Sequence, residues 1–221
     1  MTARKSQMAL DLRFREAVGR EDFLVSASNA EAVAWMDSWP GWIGPASVLI
    51  GPPGAGKTHL GQVWQKRANA VSYEGPDSPD LADPPRGCAV LIDDADRRTD
   101  DTALFHLYNA VAAAGGSMLF IARTPPARWT GRLPDLLSRL SAAPTVAILP
   151  PDEALISAVL VKMFADQQLD ADPDVLSYLV VRMERSFDEA RALVAEINRT
   201  SLAERRSVTV PLVREVLARR G

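Results

Sequence analysis

The stretch Ala46-Ser47-Val48-Leu49-Ile50-Gly51-Pro52-Pro53-Gly54-Ala55-Gly56-Lys57-Thr58-His59-Leu60 joins an apolar run, a glycine-rich turn and the opening of a helix. Ala46 to Ile50 is short, apolar and ends at glycine, as a buried strand does. After Lys57, the residues Leu60, Val63 and Trp64 recur at helical spacing. Gly51 to Thr58 between them fits the Walker A spacing, in the strand–turn–helix setting that its mechanism needs. The glycines let successive backbone N–H groups turn inward around a phosphate, and the helix N-terminus adds its positive dipole. Lys57 is expected to reach the β- and γ-phosphates as a point charge, and the Thr58 hydroxyl to ligate Mg²⁺. A glycine-rich turn with a chance lysine is the bland alternative, and the flanking strand and helix weigh against it.

Val90-Leu91-Ile92-Asp93-Asp94 supplies the complement, an apolar strand that delivers carboxylates at its C-terminal end. This is the Walker B arrangement. Asp93 is expected to hold Mg²⁺, largely through water, and Asp94 to polarise an attacking water. Two aspartates also commonly cap a strand, and Asp96 could share or replace the role of Asp94.

Working outward, residues 1–20 are polar without sustained periodicity and read as a mobile tail. Ser28-Asn29-Ala30-Glu31 reads as a capping box that opens a helix carrying Val33, Met36 and Trp39. Further strands are expected at Ala70 to Tyr73, Cys88 to Ile92, Ser117 to Ala122 and Thr145 to Leu149. Helices are expected around Leu104 to Val111 and from Pro134 to Leu140, with a Pro- and Asp-rich loop from Gly75 to Gly87. This alternation implies an α/β domain over residues 21–150, with a parallel sheet covered on both faces. After Pro150-Pro151 the pattern turns wholly helical. Leu155, Val159 and Met163 form one stripe; Val175, Leu176, Leu179 and Met183 form another. Ser186-Phe187-Asp188-Glu189 is a second capping box, leading into Ala190, Leu193, Val194 and Ile197. Thr209-Val210-Pro211 opens a last helix with Val213, Val216 and Leu217 inward. Residues 151–221 therefore read as a small helical domain.

The chain has 221 residues and a formal net charge of −3, which argues against a dedicated nucleic-acid-binding domain. The single cysteine, Cys88, excludes an intramolecular disulfide. His59 and His106 lack companion ligands for a metal site. Arg205-Arg206 and Arg219-Arg220 read as a solvated helix edge, not a strong DNA contact. Without an apolar N-terminal region or a span of membrane-crossing length, the expectation is a soluble cytoplasmic protein without a membrane partner. Trp35, Trp39 and Trp42 are expected to fasten the first helix to the core, or one of them to flank a base.

The order of Ser28-Asn29, Gly51 to His59, Ile92-Asp93-Asp94, Arg123-Thr124-Pro125-Pro126 and Leu133-Pro134-Asp135-Leu136-Leu137-Ser138-Arg139-Leu140 resembles the DnaA-related AAA+ family. Within it, the chain looks closest to the short Hda-type regulators, over roughly residues 20 to 221. The resemblance implies an AAA+ P-loop NTPase core followed by a helical lid. It implies an adenine nucleotide, ADP or ATP, held by Gly51 to His59 with Asp93. It implies an arginine finger at Arg139, acting on a neighbouring subunit's nucleotide, and a phosphate-contacting sensor at Arg191. Where the family places a small polar residue after the fourth strand, this sequence has Arg123 with Thr124 beside it, which bears on hydrolysis in cis. Gln7-Met8-Ala9-Leu10-Asp11-Leu12 resembles the short motif by which such proteins dock on the DNA polymerase III sliding clamp. Gln7 would hydrogen-bond at the mouth of a pocket while Met8, Leu10 and Leu12 fill apolar holes. Packing of the same six residues on the core is the alternative.

DnaA itself carries a helix-turn-helix domain after its lid, and this sequence ends at Gly221, soon after the last lid helix. The expected function is thus regulation of replication initiation: held by the clamp, the chain stimulates ATP hydrolysis by DnaA, with weak or no turnover of its own. Homo-oligomerisation is left open. The alternatives are an autonomous AAA+ ATPase, such as a helicase loader or DnaA-like initiator module, and, from another class, a P-loop kinase for a small metabolite.

Overall fold

A computed structural model of the chain describes residues 24–76 and 83–220. The clamp-type motif at Gln7, Met8, Leu10 and Leu12 lies outside the described residues, as does part of the loop expected from Gly75 to Gly87. The α/β core runs α1 (Ala30–Asp37), β1 (Ala46–Ile50), α2 (Lys57–Ala68), β2 (Val71–Ser72), β3 (Ala89–Ile92), α3 (Asp101–Ala113), β4 (Ser117–Ala122), α4 (Pro134–Ala142) and β5 (Thr145–Ala147). The five strands form one sheet in the order β2-β3-β4-β1-β5, and every pairing is parallel.

A parallel sheet buried on both faces is built of continuous apolar runs, and the central strands are such runs. Val48, Leu49, Val90, Ile92, Met118 and Leu119 are all fully buried. One face packs against α3 and α4 through Leu104, Val111, Leu136 and Leu140. The other packs against α1 and α2 through Val33, Met36, Leu60 and Trp64. From β1 the chain crosses to the far edge, returns through β3 and β4 to flank β1, and then places β5 on its other side. The order therefore reverses at β1, and the crevice at such a switch point is where open α/β sheets bind ligands.

Beyond Pro151 come α5 (Glu153–Asp166), α6 (Pro173–Arg182), α7 (Phe187–Glu204) and α8 (Val210–Ala218). They share a separate core that includes Ile156, Leu160, Phe164, Leu179, Leu193 and Val213. Ser186 caps α7 as its sequence predicts, its hydroxyl accepting from the Glu189 N–H at 3.1 Å. The reciprocal half of that box does not form, because the Glu189 carboxylate is drawn to Arg220 at 2.9 Å.

The box expected at Ser28 is a correction. Asn29 occupies the N-cap position of α1 and its side chain makes no cap bond. It is turned instead into the preceding segment, accepting from the Ser26 N–H at 2.9 Å and donating to the Leu24 carbonyl at 3.0 Å. Ser28 pairs with the Ser26 hydroxyl at 2.7 Å. Both side chains are buried, so the unpaired backbone groups beside them take precedence over the helix end. Trp39 lies past the end of α1. The tryptophans do fasten this region to the core: Trp42 stacks between Trp35 and Trp64, at centroid distances of 6.4 and 5.3 Å.

α3 and α4 are joined by a buried ion pair. Arg132 Nε donates to both Asp101 oxygens at 2.7 and 2.9 Å, and the Leu133 N–H donates to the same carboxylate at 2.6 Å. The two side chains are only 7% and 13% exposed. Burial pushes the Asp101 carboxyl up, but its hydrogen bonds from Arg132 and Leu133 and the guanidinium charge outweigh that and hold it below its ordinary value. A carboxyl depressed in the fold stabilises fully above its unfolded pKa and loses that contribution as pH falls through the folded one. Asp101→Ala should cost about 3 kcal/mol at neutral pH, because Arg132 is left buried and unpaired. Urea unfolding of both proteins checks this, and the gap between them should narrow as the pH drops below the carboxylate range.

Candidate functional site

The phosphate loop leaves β1 at Gly51 and enters α2 at Lys57. Gly54 and Gly56 take φ of +67° and +93°, a left-handed conformation open to glycine at little cost. Close approach adds a second reason at Gly54, where a Cβ would meet the Ser186 Cβ at 2.7 Å. Lys57 is half-buried and folds back over the loop, its ammonium donating to the Pro52 carbonyl at 2.8 Å. Its pKa is lowered, first by burial and further by Arg123, against the opposing pull of Asp93, Asp96 and Asp94. Of the remaining loop residues, Pro52 and Pro53 are exposed, while Gly51 and Ala55 are buried beneath them.

The two halves of the site meet directly. The Thr58 hydroxyl donates to Asp93 Oδ2 at 2.9 Å, and Asp93 Oδ1 accepts from the Asp94 N–H at 2.8 Å. Asp94 itself is exposed, with φ of +49°. Asp96 is tied in differently. Its Oδ2 accepts from the Arg123 N–H at 3.0 Å, and its Oδ1 is buried without a hydrogen-bond partner among the described residues. Asp96 thus links the end of β3 to the end of β4 and fixes where Arg123 begins.

A cleft of about 690 Å³ runs from this loop to the helical domain. Gly54, Gly56, Lys57, Thr58 and His59 line one end, and Asp188 and Arg191 stand on the opposite wall. Arg191 pairs with Asp188 at 3.4 Å, with both side chains about two-thirds exposed (70% and 68%). Such a surface pair is worth about 0–1 kcal/mol, so the guanidinium is readily released to an anion. None of the five tryptophans lines the cleft, which leaves them a packing role. Arg139 does not line it either; it is exposed on α4.

The apolar wall of the cleft comes from the helical domain. The stripe of Leu155, Val159 and Met163 lines it together with Phe187. Ile156, Leu160 and Phe164 on the same helix serve the core of the helical domain, with Met163 and Phe187 packed against its edge. A helix that is apolar on more than one face has two surfaces to cover, and that width was the available signal. Gln62, Lys162 and Asp166, which also line the cleft, carry no comparable mark in the sequence.

The helical domain is stitched to the phosphate loop. The N–H of Phe187, one of the unsatisfied donors of the α7 N-terminus, bonds to the Gly54 carbonyl at 2.8 Å. Gly54→Ala forces Ser186 away and should break this bond. Amide exchange at Phe187 should then rise about fivefold, as loss of a hydrogen bond worth about 1 kcal/mol requires; hydrogen-exchange mass spectrometry reads it.

No helix among the described residues is long and apolar enough to cross a membrane. Residues 153–217 match the family model for the Hda lid domain. Domain III of the Thermotoga maritima replication initiation protein DnaA superposes with a TM-score of 0.75 at 20% identity, over 89% of this chain and 93% of that one. AMPPCP-bound DnaA from Aquifex aeolicus gives 0.62 at 18% identity, over 83% of this chain and 68% of that one. A RuvB variant from Thermotoga maritima gives 0.68 at 12%, over 86% and 68%. At such identities the structural likeness is one of fold. Taken with the lid match over residues 153–217, it is consistent with a DnaA-related AAA+ fold that carries an Hda-type lid.

Proposed function

We propose that this chain binds an adenine nucleotide with Mg²⁺, docks on the DNA polymerase III sliding clamp through its N-terminal tail, and stimulates ATP hydrolysis by DnaA to regulate replication initiation. The observation that carries the reading is the placement of the basic residues. Lys57 and Arg191 face the chain's own cleft, whereas Arg139 is exposed on α4 outside it. An arginine so placed reaches a phosphate only on a neighbouring molecule.

The residues present fit the groups they would hold. The Thr58 hydroxyl and the Asp93 carboxylate, 2.9 Å apart, are the hard oxygen donors that Mg²⁺ takes. Gly51 to Thr58 would cradle the phosphates through backbone N–H groups, with Lys57 released from Pro52 to reach them and Arg191 closing from the lid. His59 stands at the same end of the cleft. Bound Mg²⁺ would neutralise phosphate charge there. Asp94 would orient water, and Arg123 adds a second cation beside Lys57. In this reading the nucleotide is chiefly structural and regulatory, ADP being the form we favour. Arg139 would complete the site of ATP-bound DnaA, stabilising charge on the transferring phosphoryl group.

One observation favours a second reading, an ATPase that turns over by itself. The Thr58–Asp93 contact and the neighbouring Asp94 keep the hydrolytic elements together. Steady turnover by the isolated protein, with assembly driven by ATP and not by ADP, would establish it.

The tail is tested separately. Gln7→Ala combined with Leu10→Ala should abolish capture of the full chain by immobilised sliding clamp and leave nucleotide affinity unchanged. Equal clamp affinity for the double variant and wild type would remove the clamp from the account.

A further inference from the structure

Arg139 projects from the last turn of α4 over two aromatic rings of α3. Its guanidinium carbon lies 5.2 Å from the centroid of Phe105 and 5.2 Å from that of Tyr108. The rings stand three residues apart on α3, so they share one face of that helix. Phe105 is half-buried, and Tyr108 is 7% exposed within the core that carries Leu104 and Val111. Burial raises the Tyr108 phenol pKa, and the Arg139 charge beside it opposes that rise. α4 is seated by Leu136 and Leu140, each 1% exposed, and the Asp101–Arg132 pair ties its start to α3. Rings and guanidinium are therefore positioned by elements already fixed against one another.

We propose that Phe105 and Tyr108 are positioning residues, a cradle that holds the Arg139 guanidinium extended and oriented toward a neighbouring subunit's nucleotide. The proposal rests on the trans-acting role of Arg139 given above. Stacking engages the face of a guanidinium and leaves edge N–H donors for phosphate oxygens, which a bidentate carboxylate partner would occupy. A group held in its working orientation also loses less freedom when it engages.

The test uses the full chain with DnaA, ATP and clamp loaded on DNA, beside Arg139→Ala as the finger-less control. Phe105→Leu and Tyr108→Leu should each lower the maximal stimulated rate by about 2- to 30-fold, the range of one cation–π contact. The concentration giving half-maximal effect should not move. Tyr108→Phe, which keeps the ring face, should restore most of the rate, a rescue that a purely structural defect would not show. Leucine variants as active as wild type, while Arg139→Ala is inactive, would overturn the cradle and leave the finger standing. If wild type itself fails to stimulate DnaA, the trans-acting role falls, and ¹⁵N relaxation of the Arg139 Nε–H group decides the cradle alone. An ordered Nε–H in wild type that becomes mobile in Phe105→Leu supports it; a mobile Nε–H in wild type overturns it.

Discussion

Arg139→Ala should remove the stimulation of DnaA, lowering the stimulated rate of ATP hydrolysis by about 10³- to 10⁵-fold, the usual cost of a missing arginine finger. The size of the effect separates a transition-state contact from a surface charge. An exposed arginine that contributes only to solubility or a rim contact changes a rate by about fivefold at most. Because Arg139 lies outside the cleft that collects Lys57, Thr58 and Arg191, the variant should bind ADP and clamp as wild type does. Calorimetry with ADP and clamp capture check those two properties beside the rate. Loss of rate together with loss of ADP binding would point to a damaged fold and not to a missing finger.

The second large effect is expected at Lys57. Its ammonium is half-buried at the phosphate end of the cleft and donates to the Pro52 carbonyl. Burial and the nearby Arg123 disfavour its charge, whereas a bound phosphate would favour it. Charge-assisted hydrogen bonds are worth about 1.5–3 kcal/mol each. Losing those to two phosphates should weaken ADP binding by on the order of 10² to 10⁴. Lys57→Ala removes no core contact, so its thermal midpoint without nucleotide should match wild type, and the rise on adding ADP should vanish. Unchanged ADP affinity would place the nucleotide elsewhere.

Much of this architecture was legible in the residues because the parts that decide it are local. Ala46 to Ile50, Gly51 to Thr58 and the helix after Lys57 are contiguous, and each has a distinct physical signature. The parallel sheet followed from apolar strands alternating with amphipathic helices, and its order was fixed only when the strands paired. What the sequence did not disclose depends on contacts between distant segments. Ser28 reads as the cap of a capping box but pairs with Ser26, and Asn29, which takes the N-cap position, is spent on Ser26 and Leu24. Leu155, Val159 and Met163 read as one helical stripe, and that it walls a cleft depends on the phosphate loop lying opposite. The Gly54–Phe187 hydrogen bond joins residues far apart in the chain, and no local pattern announces it. Asp96 was visible only as a rival to Asp94; its hold on the Arg123 backbone needed the geometry.

The central claim is that this chain acts on the nucleotide of a partner and not chiefly on its own. It is tested most directly by single-turnover hydrolysis of radiolabelled ATP prebound to DnaA, with clamp-loaded DNA, before and after addition of the ADP-loaded full chain. The account predicts that the wild-type chain accelerates loss of the DnaA-bound ATP, while the same chain alone with ATP and clamp-loaded DNA shows little or no turnover. An unchanged rate for DnaA-bound ATP, together with brisk hydrolysis by the isolated chain, would contradict it.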